Sequence, residues 1–191
     1  LYRIAELLEV MSPAIADMLY VAVSTDTGCF VYSTVTANTH RVAAALMEAG
    51  ANYKYLNKKH FRTKSLPRLR LEQLMVEGMR LSHGNTVAVA PVSLAMMAAA
   101  GAGENDAEDI AAVLGQIKGV RHSATIRELK PGECKISLRT AADLNASRVC
   151  ARLGGGGHAA AAGCTVNGSV EDAERAILGA IDAEMEEHPN G

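Results

Sequence analysis

Apolar residues recur at helical spacing through Ile4, Leu7, Leu8 and Met11, and the pattern stops at Ser12-Pro13, which predicts a helix over 2–11. Met18 to Val23 is a short continuous apolar run between turn signals, and it reads as a buried strand. The strand would feed Ser24-Thr25-Asp26-Thr27-Gly28, and open α/β sheets place ligand chemistry just past the C-terminal ends of their strands. Thr36 or Asn38 can cap a helix with an apolar face of Val42, Ala45, Leu46 and Ala49, stopped by Gly50. Another helical piece starts near Asn52. Ser65-Leu66-Pro67 is a further helix start, and Leu71, Leu74, Met75, Gly78 and Leu81 follow at helical spacing as far as His83-Gly84.

Beyond residue 84 the period changes. Thr86 to Ala90 reads as a strand, and Ser93 as the cap of a short Ala/Met-rich helix ending at Gly101. Met96 and Met97 read as gap-filling core. Asn105 with Glu108 forms an approximate capping box for a helix carrying Ile110, Val113, Leu114 and Ile117. Val120, His122, Ala124 and Ile126 then alternate with polar residues. A Lys130-Pro131-Gly132-Glu133 turn follows, and Cys134, Ile136 and Leu138 alternate with Lys135, Ser137 and Arg139. That pattern is a β-hairpin with Ser137 and Arg139 on its polar face. Asp143 is the expected cap of the next helix, and Glu171 to Met185 is a final amphipathic helix. No internal repeat is visible.

Between those last two helices lies Gly154-Gly155-Gly156-Gly157-His158-Ala159-Ala160-Ala161-Ala162-Gly163. Glycines reach positive φ and leave their N–H groups bare, so the run reads as a phosphate-binding loop whose amides form an anion-attracting concavity. A flexible linker is the other reading, but linkers are usually polar and Gly/Ser-rich, and this run sits between apolar segments. His158 has a ring that can donate to a phosphoryl oxygen. Arg139 offers a fork of donors suited to phosphate, with Ser137 and Thr140 as weaker candidates of the same kind.

Composition bounds what such a site could serve. The 191 residues suffice for one large or two small domains, and 49% are apolar, so a core can form. Aromatics are scarce, which argues against stacking along a long single strand. The net charge of −2 gives no global attraction to nucleic acid. It is unevenly spread: Lys54, Lys58, Lys59, Arg62, Lys64, Arg68 and Arg70 form a basic run, whereas Glu171 to Glu187 is acidic and reads as a solvated face. Cys29, Cys134, Cys150 and Cys164 show no metal-ligand spacing and sit in apolar or alternating patterns, so they read as reduced, mostly buried thiols of a cytoplasmic protein. No apolar run reaches the roughly 18 residues a membrane span needs. The chain opens on Leu1 within a helical pattern and reads as a piece of a longer protein.

Gly155-Gly156-Gly157-His158 with Ala161-Ala162-Gly163 resembles the signature of the DHH-associated domain, the C-terminal half of DHH-family phosphoesterases. Among these the chain is most similar to the bifunctional oligoribonuclease/pAp phosphatases, or nano-RNases. Ser24-Thr25-Asp26-Thr27-Gly28-Cys29-Phe30 resembles the last metal-ligand motif of the DHH domain, and Ser137-Leu138-Arg139-Thr140 the family's S-x-R-S. The resemblance implies an α/β fold: residues 1–64 as the C-terminal part of a DHH catalytic domain, 65–84 as a connector helix, and 85–191 as a smaller α/β substrate-binding domain with a mixed sheet. It implies a manganese-dependent phosphoesterase that hydrolyses short RNA oligonucleotides and the nucleotide bisphosphate 3′-phosphoadenosine 5′-phosphate, without a membrane, and it is compatible with a homodimer. Asp26 would be one metal ligand. The D-x-D and D-H-H motifs that complete a two-manganese centre do not occur in the chain, so no catalytic residue is assigned here and the piece alone is expected to be inactive.

The resemblance implies substrate binding by Ser137, Arg139, Thr140, Gly155, Gly156, Gly157 and His158. Three other readings stand beside it. A non-catalytic nucleic-acid-binding module is one, since DHH-associated domains are also appended to alanyl-tRNA synthetases. A cyclic-dinucleotide hydrolase of the same superfamily is another. Asp26-Thr27-Gly28 also spells the aspartic-protease triplet, but that chemistry needs a second carboxylate and a β-rich body.

Overall fold

In a computed structural model that describes residues 1–32, 34–108 and 110–188, the chain divides into two units, Leu1–Lys64 and Ser65–Gly191. The first unit is helical: α1 (Tyr2–Leu7), α2 (Pro13–Asp26), α3 (Ala37–Glu48) and α4 (Tyr53–Phe61). Of the two candidates, Thr36 and not Asn38 caps α3, and Asn52 caps α4, which starts where expected. Its core is Ala16, Tyr20, Ala43, Leu46, Ala51 and Leu56.

The expected strand over Met18–Val23 is instead the middle of α2. Ser12 accepts a hydrogen bond from the Ile15 amide and Pro13 takes the first helical position, so the start signal lies five residues before the apolar run. Ala16, Tyr20 and Ser24, each four residues apart, are the buried stripe, while Met18 is exposed. The first helix is also shorter than expected, ending at Leu7.

The second unit is built on a six-stranded mixed sheet with spatial order β1-β2-β3-β4-β6-β5. Its strands are β1 (Arg80–Ser82), β2 (Val87–Val92), β3 (His122–Lys130), β4 (Glu133–Thr140), β5 (Gly156–His158) and β6 (Ala161–Asn167). Only β2 and β3 run parallel; the other neighbours are antiparallel. The hairpin read from the alternation is β3–β4, paired from His122↔Thr140 to Lys130↔Glu133 with an irregularity after Glu128.

Alternation along these strands sends successive side chains to opposite faces, so two separate cores form. On one face Val89, Ala124, Ile126, Ile136, Leu138 and Cys164 pack under α8 (Ala146–Ala151) and α9 (Val170–Glu187). On the other, Ala88, Ala90 and Val92 pack under α5 (Leu66–Glu77), α6 (Leu94–Ala100) and α7 (Ala111–Leu114). Leu71 and Met75 of α5 are fully buried in that second core, so the helix expected as a connector is part of this unit's framework.

Two caps differ from expectation. Gly103 and Asp106 frame a 3₁₀ turn at Glu104–Ala107, with the Asp106 carboxylate accepting from the Gly103 amide, in place of an Asn105–Glu108 box. Asn145, not Asp143, caps α8 by accepting from the Arg148 amide, while Asp143 lies 2.9 Å from Arg121. No helix of the described residues is long and apolar enough to cross a membrane.

Candidate functional site

The helices α5, α6 and α7 pack on their face of the sheet mainly over β2 and β3, where Ser123 and Thr125 are buried, and α7 also reaches the near side of β4. Toward β4, β6 and β5 the same face opens. There Ser137 pairs with Gly163, which pairs with Gly156, and Arg139 pairs with Ala161, which pairs with His158. Residues paired across a ladder project to the same side. Within the second unit, Gly156, Gly163, Ala161 and Ser137 therefore form a low floor, with Arg139 and His158 standing together at one end. Arg139 and His158 are exposed, and Ser137 is half-buried. Lys135 shares their strand parity and is exposed as well, an extension of the site that the Lys135-Ser137-Arg139 alternation carries in the sequence.

Arg139 has no ion-pair partner among the described residues; its guanidinium reaches only the Leu138 carbonyl, at 3.5 Å. His158 makes no side-chain hydrogen bond or ion pair among them. Most other arginines of this unit are committed: Arg121 to Asp143, Arg127 to Glu104, Arg148 and Arg152 to Glu184. A cation left unpaired beside an open floor can attract an anion without first breaking an internal pair.

Thr140 does not join this group. Its parity is opposite, and its hydroxyl donates to the Ala159 carbonyl at 3.0 Å while its amide donates to Ala160. The Ala146 amide also donates to Ala159. Thr140 thus holds the Ala159–Ala160 turn that follows His158, a positioning role.

The glycine run is not a free loop. Gly154 follows the end of α8, the Gly155 amide donates to the Cys150 carbonyl at 2.8 Å, and Gly156–His158 is the outer strand β5. A β-carbon at Gly155 would sit 2.2 Å from the Gly163 carbonyl oxygen. At Gly157, where φ is +151°, it would sit 2.6 Å from the Ala161 oxygen and 2.7 Å from the Ala162 Cα. Those two glycines are demanded by the pairing itself. Gly156 is different: nothing lies within 4 Å of its hypothetical β-carbon, and its φ is not positive. Its missing side chain leaves that part of the floor open and is not required by the pairing.

Beneath the floor, Cys150 and Cys164 are buried thiols, and hydrogen bonding between them together with burial holds the Cys150 thiol far above its ordinary value. α8 is tied to α9 through Glu184, 2% exposed, which meets Arg148 at 3.3 Å and Arg152 at 3.1 Å. Framework contacts thus run from α9 through α8 to the glycine strand.

Asp26 lies in the first unit, exposed, at the last turn of α2. Among the described residues it belongs to no group of three metal-ligating side chains. One exposed carboxylate does not fit a two-manganese centre, which needs several convergent oxygen or imidazole ligands. The three ligand atoms that do converge, on Glu184, Glu187 and His188, share their carboxylates with Arg148 and Arg152.

One titratable group of the β3–β4 ladder is buried. His122 is 2% exposed, its Nδ1 has no partner, and its Nε2 lies 3.6 Å from an Asp143 carboxylate oxygen. Burial pushes its pKa below the ordinary 6.5; Asp143 opposes that, and Arg121 and His83 reinforce it. As pH falls, the unfolded chain takes this proton before the folded one. The stability contributed by neutral His122 is complete above about pH 6.5 and declines below it until the folded imidazole protonates. The melting temperature of the wild-type chain is expected to fall between pH 7.5 and 5.5, and that slope to flatten in His122→Gln. Equal slopes in the two proteins would show that His122 does not set it.

A model of the DHHA1 domain matches residues 84–187. The bifunctional oligoribonuclease and PAP phosphatase NrnA of Thermus thermophilus is 30% identical over 179 residues, which is 93% of this chain and 51% of that protein. The crystal structure of an exopolyphosphatase-related protein from Bacteroides fragilis superposes with a TM-score of 0.83 at 26% identity, over 90% of this chain and 51% of that one. The chain thus spans about half the length of the relatives it matches.

Proposed function

The chain belongs to the DHHA1 domain family, and from that membership we propose that its second unit clamps the phosphate of a short ribonucleotide substrate. The observation that carries this reading is the register Arg139–Ala161–His158, which puts an unpaired guanidinium and an imidazole at the end of an uncovered small-residue floor. Arg139 supplies the charge and the planar fork of donors. His158 donates a further hydrogen bond, and the absence of a side chain at Gly156 lets a sugar-phosphate backbone approach the sheet. The relatives' names, an oligoribonuclease and PAP phosphatase and an exopolyphosphatase-related protein, share the handling of phosphate esters or anhydrides. We take the substrate class to be very short RNA or a nucleoside bisphosphate, acted on by a phosphoesterase of which this chain supplies the clamp. Two manganese ions would polarise the phosphodiester and ready a water in such an enzyme. The described residues do not build that centre, so no hydrolytic step is assigned to them.

A non-catalytic nucleotide-binding role is the second reading, since Arg139, His158 and the small-residue floor can hold a phosphate without a metal ligand. Calorimetry separates the readings. The purified chain is expected to bind a 5′-phosphorylated diribonucleotide, to show no tight manganese site, and to turn over no dinucleotide above background. Two tight manganese sites, or turnover, would overturn the assignment of the chain to the clamp alone. No binding of the dinucleotide would remove the clamp.

A further inference from the structure

The sequence from Ala49 to Leu71 contains no acidic residue, and α4 lies inside it. At about 100° per residue, Lys54, Lys58, Arg62, Tyr55 and Lys59 fall on one contiguous arc of roughly 140° around this helix. The opposite arc holds Leu56, which is buried, and Asn57, whose side-chain amide donates to the Tyr20 hydroxyl at 3.1 Å. α4 is thus anchored to α2 by one side and presents a basic face with the other. Lys54, Lys58, Lys59 and Arg62 are all exposed, and none has an ion-pair partner among the described residues. Tyr55 stands in the middle of them, 57% exposed, with the Lys59 ammonium 5.9 Å from its ring centroid. Phe61 is exposed near the end of the same helix.

Helix stability does not account for this face. Lys58 and Lys59 in the last turn complement the helix dipole, but Lys54 in the first turn opposes it, and no acid offsets Lys54 there. All five acidic residues of the first unit precede Ala49. Four cations without ion-pair partners on the same helix arc as an exposed tyrosine, one of them (Lys59) over its ring and another (Lys54) over the Tyr53 ring, make a charge-complementary track with a stacking platform. That combination fits a single-stranded polynucleotide, whose phosphates meet the cations while an unpaired base meets the ring. A membrane surface would call for a row of aliphatic anchors beside the lysines, and the arc has none.

We propose that the exposed face of α4 is a docking site for single-stranded RNA, distinct from the Arg139–His158 clamp in the other unit. It gives the chain a hold on strands longer than the clamp itself reads. The proposal does not depend on the clamp.

The test is fluorescence anisotropy of the full chain with a labelled 20-nucleotide oligo(U) across a salt series. Four phosphate contacts predict a log–log slope near −3, or roughly a 50-fold loss of affinity between 50 and 200 mM salt. The variant Lys58→Gln/Lys59→Gln/Arg62→Gln is expected to lose at least about tenfold in affinity at the low-salt end and to flatten the slope toward −1. Tyr55→Ala should weaken binding about fivefold or more, and Tyr55→Phe should restore it, because stacking needs the ring and not the hydroxyl. Melting temperatures report whether the variants fold. Wild-type affinity in the folded triple variant overturns the proposal. So does equal affinity for a 20-base-pair duplex with Tyr55→Ala silent, or binding of phosphatidylserine vesicles with oligo(U) ignored. Loss of oligo(U) binding in the triple variant, with no dinucleotide binding by the wild type, would leave the docking face standing and the clamp rejected.

Discussion

Gly157→Ala is expected to destabilise the second unit by about 3 kcal/mol, whereas Gly156→Ala should change its stability by less than about 0.5 kcal/mol. The two positions are neighbours in one run of identical residues, so no difference in composition separates them. The difference lies in what a β-carbon would meet. At Gly157 it would lie within 2.7 Å of backbone atoms on both Ala161 and Ala162, and the residue holds a φ of +151°. Neither neighbour can rotate away, because both belong to the paired strand β6. At Gly156 there is open space. For a unit of this size, about 3 kcal/mol corresponds to a fall in melting temperature of roughly 10 °C. Thermal denaturation of the two variants beside the wild type measures it, and equal melting temperatures would refute the geometry of β5.

The same contrast inverts for binding. Gly156→Val should fold, yet lose most of its affinity for a phosphorylated dinucleotide, since a branched side chain would stand on the floor between Ser137 and the substrate. Unchanged dinucleotide affinity in a folded Gly156→Val protein would show that the floor is not where the ligand lies.

The sequence made much of the second unit legible and less of the first. The β3–β4 hairpin could be read because a period of two over Val120–Ile126 and Cys134–Arg139 admits no helical alternative. The apolar run Met18–Val23 misled because a short run fits a strand or a buried helix equally, and the deciding signal, Ser12-Pro13, stands upstream of it. Asp143 and Asn145 are equivalent caps by chemistry; the helix starts after Asn145 and leaves Asp143 beside Arg121, which local sequence does not reveal. The glycine run was legible as special but not as a strand. Pairing with Ala161–Gly163 across a two-residue turn overrides the poor strand propensity of glycine. Of the expected binding residues, alternation brought Arg139, Ser137, Gly156 and His158 onto one face and turned Thr140 away, which only the register shows.

Arg139→Ala is expected to lower the affinity for a phosphorylated dinucleotide roughly 30-fold, the equivalent of about 2 kcal/mol for a charge-assisted phosphate contact. The guanidinium has no internal partner to fall back on, so its removal leaves nothing nearby to take its place except Lys135, two residues along the same strand face. Arg139→Lys should recover only part of the loss, because a point charge does not reproduce a planar fork. His158→Ala should cost about tenfold as the loss of one hydrogen bond to a charged group. If both residues hold one phosphate, the double variant should lose less than the sum of the two, since neither contact survives well without the other. The losses should be the same for A-, U-, C- and G-containing dinucleotides, because a phosphate contact carries no base information. The salt dependence should be shallow, with a slope of roughly 0.7 to 1.4 for one or two phosphates, in contrast to the steeper slope expected for a long strand on α4. Calorimetric titration of the wild type and the four variants with four dinucleotides at two salt concentrations checks each part. Additive losses would place Arg139 and His158 on different phosphates. A loss confined to one base would replace the phosphate clamp with a base-reading pocket. Affinity unchanged in Arg139→Ala would mean that the unpaired guanidinium on the open half of the sheet is an ordinary surface cation.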